Sequence, residues 1–137
     1  MCNWQDINFP YGIGKIQIPA QVIQDTCRTI WQVAQKKQTI AYADLMNQLK
    51  RLGHQKINRG TIGRIVGEVS NQVSQVTQPS IYPSAIVVKK YSNQPGNGFW
   101  ELSMGTNPPS GVPCNQQRNA LQQYQNDVFN RSWSCNC

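Results

Sequence analysis

One segment constrains this chain more than any other. Ile62, Ile65, Val66, Val69 and Val73 recur at i, i+3, i+4, i+7 and i+11. That is the spacing of one apolar helix face. At about 100° per residue, Gly60, Arg64, Gly67 and Asn71 fall on the opposite side. A glycine inside a helix costs about 1 kcal/mol relative to alanine. Close approach of another backbone, from a ligand or from a neighbouring helix, is a reason to accept that cost.

The apolar stripe needs other elements to cover it, and the flanking sequence supplies them. Pro19 sits where the first turn of a helix accepts proline. Val22, Ile23, Cys27, Ile30, Val33 and Ala34 then follow at helical spacing to about Lys37. Thr39, Ile40, Ala41 and Tyr42 read as a short extended stretch. Leu45, Met46, Leu49 and Leu52 mark a second helix, which Gly53 stops. A polar basic turn leads into the third. After a loop at 79–83, residues 84–91 read as a strand, 92–98 as a turn and 99–102 as a returning strand, together a β-hairpin. Residues 104–113 read as a linker. Leu121, Tyr124, Val128 and Trp133 mark a final amphipathic helix, and the tail after Trp133 is expected to fray.

The expected fold is therefore α+β: a small winged helix-turn-helix domain with a C-terminal helix. Residues 1–18 form an N-terminal arm with a short strand at Ile16–Ile18. Residues 19–103 form the domain, and 104–137 hold the linker, last helix and tail. In such a fold the third helix enters the major groove and the hairpin lies on the flanking backbone.

The charge balance agrees. Thirteen Lys and Arg stand against six Asp and Glu, a net +7. A small domain with that balance is attracted to polyanions, of which nucleic acid is the commonest. Between Leu45 and Trp100 lie Lys50, Arg51, Lys56, Arg59, Arg64, Lys89 and Lys90, against Glu68 alone. Lys56, Arg59, Thr61, Arg64 and Asn71 are the candidate contacts at the third helix. Arg reads guanine and Asn reads adenine in the major groove. Lys89 and Lys90 on the hairpin would hold phosphate. The competing readings are a solvated basic face, an Arg64–Glu68 pair one turn apart, and lysines guarding an edge strand.

Other function classes find less support. No run of 18 apolar residues exists, so no membrane helix is expected. The N-terminal residues lack a basic and then apolar leader. Five cysteines, an odd number, point to a reducing compartment, with the cytoplasm as the default. Cys114, Cys135, Cys137 and His54 lack zinc-site spacing, so no metal or other cofactor is expected. Cys27 reads as core, and His54 as a turn residue. The six acids are scattered without a catalytic pair, so no catalytic residue and no small-molecule substrate is assigned.

Residues 19–99 resemble the C-terminal domain of alkylguanine-DNA alkyltransferases and their non-catalytic alkyltransferase-like relatives. Thr39-Ile40-Ala41-Tyr42-Ala43-Asp44-Leu45 is similar to the family's Thr-Val-Ser-Tyr-Gly-Glu-Leu. Arg64-Ile65-Val66-Gly67 is similar to its Arg-Ala-Val-Gly on the recognition helix. Pro83-Ser84-Ala85-Ile86-Val87-Val88 stands where the family has Pro-Cys-His-Arg-Val-Val. The alkyl-accepting cysteine is thus replaced by Ser84, and its activating histidine by Ala85. A hydroxyl without a base is a poor nucleophile. The resemblance implies the DNA-binding scaffold without alkyl transfer. It further implies that Tyr42 packs against backbone or helps rotate a nucleotide, and that Arg64 fills the gap left in the duplex.

A closer match is to a little-described bacterial group. Its Ser-Ala-Val-Val-Val and Pro-Gly-x-Gly-Phe-(Phe/Trp)-Glu-Leu are similar to Ser84-Ala85-Ile86-Val87-Val88 and Pro95-Gly96-Asn97-Gly98-Phe99-Trp100-Glu101-Leu102. Its Gly-Thr-Ile-Gly-Arg helix start matches Gly60-Thr61-Ile62-Gly63-Arg64. The functional expectation is a non-catalytic binder of double-stranded DNA. The alternatives are a protein-interaction module docking on the Gly60/Gly67 face, or an alkyltransferase-like sensor of damaged bases with a pocket behind Tyr42 and Ser84.

Overall fold

The structure, a computed structural model, describes residue 2, residues 4–9 and residues 16–136. Gly12, Gly14 and Cys137 lie outside the described residues. The class is α+β. Strands β1 (Ile7–Phe9) and β2 (Ile16–Ile18) pair antiparallel, with Ile7 opposite Ile18. Helix α1 (Ala20–Gln35) follows Pro19, as the proline position implies. The side chain of Asp6 accepts from the Ala20 N–H at 2.8 Å, which satisfies one open donor at this helix start.

Strand β3 (Ile40–Ala41) leads into α2 (Tyr42–Arg51), and Gly53 turns the chain away at φ +97°. Helix α3 (Arg59–Val76) begins on a capping box. Asn58 Oδ1 accepts from the N–H groups of Gly60 and Thr61, and Thr61 Oγ1 accepts from the Asn58 N–H. The stripe Ile62, Ile65, Val66, Val69 and Val73 is buried, as its spacing requires. α1 and α2 pack against it and against each other.

The second half departs from the expected hairpin. Residues Pro83–Ile86 coil into a 3-10 turn, and only Val87–Val88 form a strand, β4. β4 pairs in parallel with β3, Ile40 opposite Val87 and Ala41 opposite Val88. Asn97–Met104 is a helix, α4, rather than a returning strand. The physical reason is legible in its burial. Phe99 and Trp100 are adjacent and both buried, and Ser103 and Met104 are half-buried one turn later. A strand would send Phe99 and Trp100 to opposite faces, whereas a helix puts these four on one side. Gly105 then ends α4 in the left-handed region at φ +77°.

Helix α5 (Asn115–Asn130) covers the 3-10 turn. Tyr124 meets Tyr82 and Phe99 edge-on, at 5.2 and 5.8 Å between centroids. Gln125 Nε2 donates to the Ala85 carbonyl at 3.0 Å. The tail beyond α5 does not fray within the described residues. Cys135 is disulfide-bonded to Cys27 on α1, across 108 positions of sequence. The indole N–H groups of Trp31 and Trp4 donate to the carbonyls of Trp133 and Cys135. Cys2 is disulfide-bonded as well. Cys27 is indeed core, at 0% exposure. Among the described residues the free cysteine is Cys114, which is exposed. No helix among the described residues is long and apolar enough to cross a membrane.

The bridge closes a loop of 108 positions in a chain of 137, which removes much of the freedom of the unfolded state. Cys135→Ser is expected to lower stability by about 2–5 kcal/mol, measured by urea denaturation. An unchanged midpoint would remove the tail from the list of elements holding α1.

Candidate functional site

The side of α3 that bears Gly63 and Gly67 has no close neighbour at either glycine among the described residues. It opens onto a cleft of about 980 Å3, closed by the start of α2, the 3-10 turn, the loop after β4 and the start of α4. Its floor is apolar and buried: Met46, Ile62, Val66 and Phe99. Its rim is cationic. Arg59 and Arg64 from α3 and Lys89 and Lys90 from the loop are all exposed, with the half-buried Glu68 as the acid in the lining.

Gly63 and Gly67 form the α3 wall. An added Cβ at either would meet nothing within 4 Å among the described residues. Their bareness therefore serves no neighbour among the described residues. The thin face expected at Gly60/Gly67 is shifted to Gly63/Gly67, because Gly60 belongs to the cap, its N–H donating to Asn58 Oδ1 at 2.8 Å.

The opposite wall is set by Tyr42. Its hydroxyl accepts from the Gly96 N–H at 3.1 Å, which ties the start of α2 to the start of α4. A Cβ at Gly96 would lie 2.8 Å from the Tyr42 oxygen, so a side chain there would displace the phenol or the turn. Burial pushes the Tyr42 phenol above its ordinary value of 10.0, and the Gly96 N–H works the other way.

Ser84 also lines the cleft but is 2% exposed. Its oxygen accepts from the Ser70 hydroxyl at 2.6 Å, and its N–H donates to Ser70 Oγ at 2.7 Å. His54 lies 2.7 Å from Asp25 on α1, so it ties the turn after α2 to α1 rather than merely following Gly53. Among the described residues no cluster of His, Cys, Asp or Glu could hold a metal.

The sequence-derived set thus divides. Arg59, Arg64, Lys89, Lys90, Tyr42 and Ser84 come together around one cleft. Lys56 is exposed but outside it, on the turn before α3. Thr61 is corrected: it is 4% exposed and spent on the cap. Asn71 is also outside the cleft lining, half-buried, with Oδ1 accepting from Gln75. Lys89 and Lys90 stand on a braced turn rather than a hairpin wing. Sequence reasoning missed Gly63, Gly96 and Tyr91. The signal for Tyr91 was an aromatic directly after two lysines.

Compared with protein-family models, curated proteins and solved structures, the chain matches none.

Two outcomes follow from the walls. Gly67→Ala is expected to raise stability by about 0.5–1 kcal/mol in thermal unfolding, since the helix gains propensity and meets no clash. For Tyr42 the ionised phenol is disfavoured in the fold. Its contribution is complete below about pH 10 and is lost as pH rises through the folded-state value. Tyr42→Phe should cost about 1 kcal/mol at neutral pH by orphaning the Gly96 N–H. It should also flatten the alkaline loss of stability seen in wild type.

Proposed function

We propose that this protein is a non-catalytic binder of double-stranded DNA that engages its ligand at the α3 cleft. In this reading the scaffold is winged-helix-like. α2 and α3 act as the helix-turn-helix pair, and the turn after β4 stands where a β-wing was expected. The observation that carries the reading is the pairing of a cationic rim with a bare helix face. Arg59, Arg64, Lys89 and Lys90 surround the opening, and Gly63 and Gly67 leave α3 free for a backbone to approach. The resemblance of residues 19–99 to alkyltransferase DNA-binding domains supports the same reading.

A second reading has its own support. Tyr42 and Ser84 both line the same cleft, whose floor is apolar. An alkyltransferase-like sensor of damaged bases needs such a recess, and Ser84 in place of the acceptor cysteine suits recognition without transfer. The disulfide between Cys27 and Cys135 favours an oxidising place of action over the reducing cytoplasm first expected.

The test is a duplex titration at two salt concentrations. Four phosphate contacts predict about a hundredfold loss of affinity between roughly 50 and 200 mM salt. Arg64→Ala should weaken binding and reduce the salt slope by about 1, as for the loss of one phosphate contact, while Lys56→Ala, outside the cleft, should change little. Failure to bind duplex at the lower salt would make the rim a solvated surface and turn the search to a protein partner on the glycine face. Lesion-bearing duplex preferred over plain duplex would favour the second reading.

A further inference from the structure

Tyr91 is 98% exposed and stands at the lip of the cleft. Single exposed apolar residues are ordinary on a surface, but this one is not on a loose loop. The Lys89 N–H donates to the Gln94 carbonyl at 2.8 Å, and the Asn93 N–H to the Lys89 carbonyl at 2.9 Å. Val88 and Pro95 form a bridge beneath it. At the foot of the turn Gly96 is held by the Tyr42 hydroxyl. The turn is braced on both sides, and it holds a whole aromatic ring in water directly after two exposed lysines.

Two ammonium groups and a flat ring at the mouth of a cationic cleft complement one partner chemistry: a phosphate chain that carries flat rings. A paired base hides its faces within the helix stack, so a projecting ring can stack only on a base that is out of it. Base–aromatic stacking tolerates any base, because each has a π-face. Lysines beside it hold the backbone without reading sequence.

We propose that Tyr91 is a stacking residue for an unpaired base, so that the preferred ligand is duplex DNA interrupted by an unpaired nucleotide. This rests on the DNA-binding reading above and adds to it a ligand class and the residue that selects it. Lys89 and Lys90 supply attraction common to all duplexes, and Tyr91 supplies the preference for the interrupted one.

The experiment compares wild type, Tyr91→Ala and Tyr91→Phe on two probes. One is a fully paired duplex. The other is the same duplex with a single unpaired 2-aminopurine. Binding is followed by anisotropy, and stacking by 2-aminopurine fluorescence. Wild type should favour the interrupted duplex and quench its fluorescence. Tyr91→Ala should lose that preference by about tenfold, with quenching reduced, and its affinity should fall more on the interrupted duplex than on the paired one, while the salt slope on paired duplex stays as in wild type because no charge is removed. Tyr91→Phe, which keeps the ring, should behave as wild type. Full preference and quenching in Tyr91→Ala would overturn the assignment while leaving the DNA-binding reading in place. No binding of either probe by wild type would overturn both.

Discussion

The buried face of α1 is the constraint on which the rest of this structure depends. Ile23, Cys27, Ile30 and Ala34 are all at 0% exposure, on a helix of 16 residues. Each neighbour of α1 covers part of that face. α3 and α2 pack on it from one direction, and the 3-10 turn and α5 from another. The disulfide from Cys27 holds the tail against it, and the indoles of Trp31 and Trp4 fix the same tail through carbonyls. With that face of α1 covered, the side of α3 that bears Gly63 and Gly67 is the one that borders the cleft.

How far the fold was legible follows from how many periods each element offered. α1, α2 and α3 each present repeated helical spacing, and each lies close to where that spacing put it. The segment from Ala85 to Val88 is buried throughout, so it offers no alternation to read. α4 has eight residues, too few for a second helical repeat, and its aromatics favour strands by propensity. Tertiary burial of Phe99 beside Trp100 overrode that preference. The disulfide was hidden for another reason. Cys27 had a sufficient explanation as an apolar core residue, and nothing in its spacing pointed to Cys135.

The site was legible as a set of residue types and not as a place. Arg64, Lys89 and Lys90 could be named from charge, and Tyr42 and Ser84 from resemblance. Their union in one cleft depends on the parallel pairing of β3 with β4, which brings the start of α2 beside the segment after the 3-10 turn. Thr61 shows the opposite failure. A polar residue in the first turn of a helix serves the cap as readily as a ligand, and here the Asn58 N–H claims its oxygen. Asn71 lies two turns beyond Arg64, and the helix carries it past the end of the cleft.

What the cleft can do chemically turns on Ser84. A serine acts as a nucleophile only when a neighbouring base takes its proton. The Ser70 hydroxyl donates to Ser84 Oγ, and the Ser84 N–H donates to Ser70 Oγ. Both oxygens thus have a partner, and neither of the two hydroxyls nor the amide is a base. The chain's single histidine is engaged with Asp25 beside α1. Holding Ser84 on Ser70 also fixes the 3-10 turn to α3, so the pair shapes the recess whether or not anything enters it. On the proposed reading, selectivity must then come from shape and charge: the cationic rim, the projecting ring and the bare face of α3.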